Sequence, residues 1–140
     1  MLGVGLEYRP RMLDHITIAV TDYARSKAFY EKALAPLGVK LISEFGTYAG
    51  FGVSTPFFWI GGSAPQFWTP ANKAGASPLH VAFNAKDRAT VDAFYKAGMA
   101  AGAKDNGPPG PRALYHPHYY GAFVLDPDGN NVEAVCHSPV

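Results

Sequence analysis

Two histidines, His15 and His80, open similar stretches of the 140-residue chain, and a lone glutamate, Glu133, stands in the apolar run Val132-Glu-Ala-Val135. Imidazole nitrogens and a carboxylate oxygen suit divalent ions, and two histidines with one carboxylate leave coordination positions free for water or substrate. A cation so held acts as a Lewis acid on a small molecule's oxygens. Each residue also has an ordinary reading. An isolated histidine is usually a core ring bonded to backbone, and Glu133 has the alternatives of pairing with an arginine such as Arg112 or ending a strand in solvent. A carboxylate inside an apolar strand needs a partner to offset its desolvation.

A second set of reactive groups lies in Asn106-Gly-Pro-Pro-Gly-Pro-Arg-Ala-Leu-Tyr-His-Pro-His-Tyr-Tyr120, a segment expected to form a rigid loop and a lid. His116 and His118 are candidates to relay a proton. Tyr120 is a candidate catalytic or pocket-wall group, and Tyr119 and Arg112 are candidates for substrate contact. Trp59 and Phe57 are candidate pocket walls, against the commoner role of strand aromatics as core. Cys136 has no evident base or helix N-terminus to make it a nucleophile.

What would bring distant residues together is a repeat. Sliding the chain by 65 positions lays His15-Ile-Thr-Ile-Ala-Val-Thr-Asp22 over His80-Val-Ala-Phe-Asn-Ala-Lys-Asp87. Across 15–38 against 80–103, seven of twenty-four positions are identical: His15/His80, Asp22/Asp87, Ala24/Ala89, Ala28/Ala93, Phe29/Phe94, Tyr30/Tyr95 and Ala35/Ala100. Chance gives roughly two. Each half reads as a strand, an Asp cap, a helix and three shorter strands. The helix faces are Phe29, Ala33 and Leu34 in one half, and Val91, Phe94, Tyr95, Gly98 and Met99 in the other. The strands are expected at 39–45, 48–54 and 57–60, then about 103–105, 119–125 and 131–135, with Asp126-Pro-Asp-Gly129 turning between the last two. Alternation turns His15 and His80 away from the helical side. One domain over 12–140 is expected, with modules near 12–62 and 77–137 and an arm over 1–11.

Bulk properties narrow the partners. A net charge of +1 gives no electrostatic reason to bind nucleic acid or an anionic membrane. There is no long apolar run of membrane-spanning length. One cysteine excludes an intrachain disulfide, so a reducing, cytoplasmic home is the expectation. Aromatics at 14% against charged residues at 16% favour an aromatic cavity or a buried subunit interface.

Four motifs carry a resemblance to the vicinal oxygen chelate superfamily, which includes glyoxalase I, extradiol dioxygenases and bleomycin-binding proteins. They are Leu13-Asp-His-Ile-Thr-Ile18, Ala28-Phe29-Tyr30, Leu79-His-Val-Ala-Phe83 and Asp126-Pro-Asp-Gly-Asn-Asn-Val-Glu133, within residues 12–137. The resemblance implies an α+β fold: two βαβββ modules forming a cup-shaped mixed β-sheet with helices outside. It puts His15, His80 and Glu133 on ligand positions for one divalent metal ion, drawn from Fe, Zn, Ni, Mn and Co. The implied activity is lyase, isomerase or dioxygenase chemistry on a small substrate that chelates the metal through neighbouring oxygens, passing through an enediolate or oxyanion. It also implies a homodimer, and leaves open whether modules pair within one chain or across two. Glyoxalase I carries a further glutamate on the last strand of its first module, where this chain has Trp59, so its ligand set is similar to that of the iron(II) extradiol dioxygenases. A metal-free binding protein similar to the bleomycin-resistance branch is the reading from a different class.

Overall fold

The computed structural model describes residues 12–139; the expected arm over 1–11 lies outside them. Strand β1 (Ile16–Ala19) runs into helix α1 (Tyr23–Ala33) through Asp22, whose carboxylate accepts the Arg25 N–H at 3.1 Å. That bond supplies one of the donors a helix start leaves unpaired. A 3-10 turn over Ala35–Leu37 ends on Gly38, held left-handed at φ 75°. Strands β2 (Lys40–Phe45), β3 (Tyr48–Gly52) and β4 (Pro56–Gly61) complete the first module.

The second module repeats the plan with β5 (His80–Asn84), α2 (Arg88–Ala100), β6 (Lys104–Pro111), β7 (Tyr120–Leu125) and β8 (Asn131–Cys136). Asp87 caps α2 by accepting from the Thr90 N–H at 2.8 Å and its hydroxyl at 2.6 Å. The sheets have matching orders, β1-β4-β3-β2 and β5-β8-β7-β6, with β1 parallel to β4 and β5 parallel to β8. Among the described residues their hydrogen-bond ladders stay separate, so the expected cup is two four-stranded sheets side by side.

Alternation decides which face meets the helices. Ile18, Ala49, Phe51, Phe58 and Ile60 in the first sheet, and Phe83, Ala122, Val124, Val132 and Ala134 in the second, join one core with Phe29, Tyr30, Val91 and Phe94 from the helices. The opposite faces stay open and carry His15, Thr17, His80, Ala82 and Asn84, all exposed. The core crosses between modules. Phe83 meets Phe58 edge-on at 5.4 Å, and the buried Tyr30 hydroxyl donates to Asp126 Oδ2 at 2.5 Å. Asp126 in turn accepts the N–H groups of Asp128 and Asn130, closing the Asp126–Gly129 turn.

Two expectations change. The stretch after residue 105 is not loop throughout: β6 runs to Pro111, although Pro108 and Pro109 lack N–H donors. It is an edge strand, its pairing with β7 shifts on both sides of Gly107, and an edge tolerates missing donors. The loop is therefore confined to about 112–119. The buried face of α2 is also narrower than expected, since Met99 is 37% exposed.

Candidate functional site

Glu133 carries the strongest physical signal. It occupies the middle of β8 with its side chain 2% exposed, on the open face because it pairs with Ala82 of β5 and Phe123 of β7. A carboxylate so far from water requires partners, and it has two. His80 Nε2 lies 3.1 Å from Oε1. The Tyr119 hydroxyl donates to Oε2, and Gly121 makes room there, since a Cβ at that position would come within 3.0 Å of Oε2. Burial first, then the bond to Glu133, raises the Tyr119 pKa well above the ordinary phenol value and keeps it a proton donor.

The His80 ring is oriented by its other nitrogen. Nδ1 lies 3.1 Å from the Asn131 carbonyl oxygen, which only accepts, so Nδ1 carries a proton. Nε2 therefore faces the carboxylate holding either a second proton or a lone pair. In the second case a cation between Nε2 and Oε1 reconciles two groups that would otherwise repel, and a backbone-anchored Nδ1 is the usual arrangement of a metal-binding imidazole. These residues fit two donors of a metal site. His15 does not join them. Its Nδ1 is 2.6 Å from Asp14 Oδ1, its ring is half exposed, and it lines with Phe57, Ala82 and Asn84 a cavity of about 450 Å³ between the modules. Among the described residues no three histidine, cysteine, aspartate or glutamate side chains are grouped so as to hold a metal ion.

Other candidates sort by side of the sheet. Tyr119 reaches the site, but its neighbour Tyr120 turns to the helical side, donating to Asp92 Oδ1 at 2.7 Å beneath the Arg88 guanidinium. Tyr120 opens β7 on the same face as the buried Ala122 and Val124, away from Glu133. Arg112 does not pair with Glu133; its guanidinium lies 5.5 Å from the Phe123 ring centroid. His116 accepts the His118 N–H on Nδ1 and so donates through Nε2 to His137 Nδ1 at 2.6 Å. The His118 side chain is exposed. Trp59 lies against Gly50, where a Cβ would come within 2.7 Å of the indole, and close to Phe45.

Sequence reasoning missed Phe123 and His137. Phe123 packs on His80 at 6.1 Å and shares the open face with Glu133. Counting back from the Asp126–Gly129 turn pairs Leu125 with Asn131 and then Phe123 with Glu133, so that signal was present. His137 follows β8, where nothing local marks its partner His116, 21 residues earlier in the loop.

Over residues 12–134 the sequence matches the family described as Glyoxalase/Bleomycin resistance protein/Dioxygenase superfamily. The chain belongs to that superfamily. A glyoxalase/bleomycin resistance protein from Albidiferax ferrireducens is 30% identical, with a TM-score of 0.71 over 91% of this chain and 100% of that one. A lactoylglutathione lyase from Agrobacterium tumefaciens, 20% identical with a TM-score of 0.64 over 91% and 94%, shares the fold. So does a putative glyoxalase from Bacillus halodurans, 23% identical with a TM-score of 0.65 over 89% and 95%. A comparison with curated proteins gives no match. Superfamily members act on or bind small molecules and typically take a divalent metal. No helix among the described residues is long and apolar enough to cross a membrane.

Proposed function

We propose that this chain is a divalent-metal-dependent enzyme of the superfamily acting on a small substrate with neighbouring oxygens, the metal being held by His80 and Glu133 with His15 as third ligand. The observation that carries the reading is the His80–Glu133 pair: a carboxylate 2% exposed facing an imidazole nitrogen whose partner nitrogen is already committed to a carbonyl. When bound, the cation supplies Lewis-acid stabilisation of negative charge on substrate oxygens. The chain's own groups do the rest. Tyr119, kept protonated, spends its hydroxyl hydrogen on Oε2 and so holds the carboxylate in place. Phe123 stacks against the His80 ring. Asp14 holds the His15 Nδ1, which leaves Nε2 as the nitrogen that would coordinate.

One observation favours a second reading, a metal-free binding protein: three ligands are not gathered among the described residues, while Trp59, Phe45 and Tyr48 form an aromatic surface on the first sheet. Metal analysis of protein prepared without chelator and loaded in turn with Fe, Zn, Ni, Mn and Co separates the two. About one equivalent per chain, lost in His80→Ala and Glu133→Gln and weakened in His15→Ala, supports the enzyme. Stoichiometry far below one with every metal supports the binder.

A further inference from the structure

The segment Gly107-Pro-Pro-Gly-Pro-Arg112 has a geometry that the metal site does not explain. Arg112 donates through Nη2 to the Pro108 carbonyl at 2.7 Å and through Nη1 to the Pro111 carbonyl at 3.3 Å. Both carbonyls belong to the strand leading into Arg112, so the guanidinium folds back over its own chain. Glycines at 107 and 110 let it lie close. A Cβ at Gly110 would stand 3.1 Å from Nη1, and one at Gly107 would stand 3.3 Å from Nη2 and 3.0 Å from Phe123. Gly107 also has φ +146°, a conformation side chains disfavour. The prolines fix the backbone between these glycines.

The result is a cation held still on the rim of the open face. Its plane is over Phe123, the ring on which His80 packs, and Phe123 pairs in register with Glu133. The Arg112 N–H donates to the Tyr119 carbonyl at 2.8 Å, which ties the arginine to the residue whose hydroxyl holds Glu133. Yet among the described residues no carboxylate pairs with Arg112. A guanidinium has more N–H donors than two carbonyl bonds use. Fixing a flexible side chain costs conformational entropy, and here that cost leaves donors aimed by the fold with no acid to receive them.

We propose that Arg112 is a pre-formed receptor for an oxyanion, carboxylate or phosphoryl, carried by the substrate of the His80–Glu133 site at a point away from the reacting oxygens. This rests on the reading that the site takes a small molecule. A planar fork matches both oxyanions with paired bonds, and Phe123 gives the intervening part of the ligand an apolar surface.

The test is calorimetric titration of the full chain with benzoate, phenyl phosphate and the neutral benzamide. One or both anions are expected to bind about tenfold or more tightly than the amide, as charge-assisted bonds to a guanidinium require; which anion does so identifies the oxyanion. Arg112→Gln should bring anion and amide to within about twofold, Arg112→Lys should keep part of the preference because its charge remains, and Gly110→Ala should weaken it by displacing the guanidinium. If Arg112→Gln proves unfolded by circular dichroism, the Lys and Gly110 variants decide. Equal binding of all three ligands, no anion binding at millimolar concentration, or a preference that survives in the Arg112 and Gly110 variants overturns the proposal. Metal content separates this from the enzyme reading: Arg112→Gln should hold as much metal as the native chain, and an anion preference in a chain that takes no metal leaves this inference standing while the metal reading fails.

Discussion

Tyr119 and Tyr120 show how much one position decides. One phenol closes on Glu133 and the other on Asp92, on opposite sides of the same sheet. Tyr119→Phe removes a donor from a carboxylate that has nowhere to find water, so the unfolding free energy should fall by about 1–2 kcal/mol in urea titration, the lower part of the range for a bond to a charged group because the phenol is only partly buried. The same substitution should loosen metal retention by leaving Oε2 free to rotate. His80 and Glu133 were legible in the sequence because the repeat and the alternation rule place them on one face. His15 was legible as a face but not as a contact, since the adjacent Asp14 captures its ring and no rule of spacing ranks a neighbour's carboxylate against a distant one. Arg112 was legible as a cation beside the site, while the glycine spaces that hold it appear only in three dimensions.

Helices α1 and α2 were the most readable elements. Both begin at the expected Asp, because a cap is a local contact between a side chain and N–H groups three residues on. Bonds from the Thr90 hydroxyl, and then from its N–H, hold the Asp87 carboxyl below the usual range. Folding thus favours the charged form, so its contribution is complete above the unfolded carboxyl's pKa and disappears as pH falls through the lower folded value. The protection of the first-turn amides of α2, measured as exchange relative to the intrinsic rate at each pH, should fall on acidification, and Asp87→Asn, a cap without a titrating group, should flatten that dependence. Strand β6 was the least readable element. Prolines argue against a strand, and it is the place of β6 at the edge of the second sheet among the described residues, invisible locally, that lets Pro108 and Pro109 extend.

The molecule as a whole is two copies of one plan sharing a core, with specific polar ties between them. Tyr30 of α1 reaches Asp126 in the other module's last turn, and Thr21 donates from its N–H to Asp128 Oδ2 at 3.2 Å and from its hydroxyl to Oδ1. Burial, then the Asp126 charge, raises the Tyr30 phenol far above its ordinary value, so this bond does not titrate near neutrality. Tyr30→Phe keeps the ring's packing on Phe29 and Phe58 but removes the hydroxyl, and should cost about 1–3 kcal/mol, seen as a lowered Tm with both helices still formed. The fold's two-part nature was plain from the 65-residue offset, whereas the side-by-side separation of the sheets was not, because pairing between halves depends on how the edges β1 and β5 approach each other.

Register sets Trp59 opposite Thr17 in one half and Glu133 opposite Ala82 in the other, and Thr17 and Ala82 coincide when the halves are overlaid. Here the two halves differ at the equivalent point, an indole in one and an acid in the other, and Trp59→Glu would make them alike there.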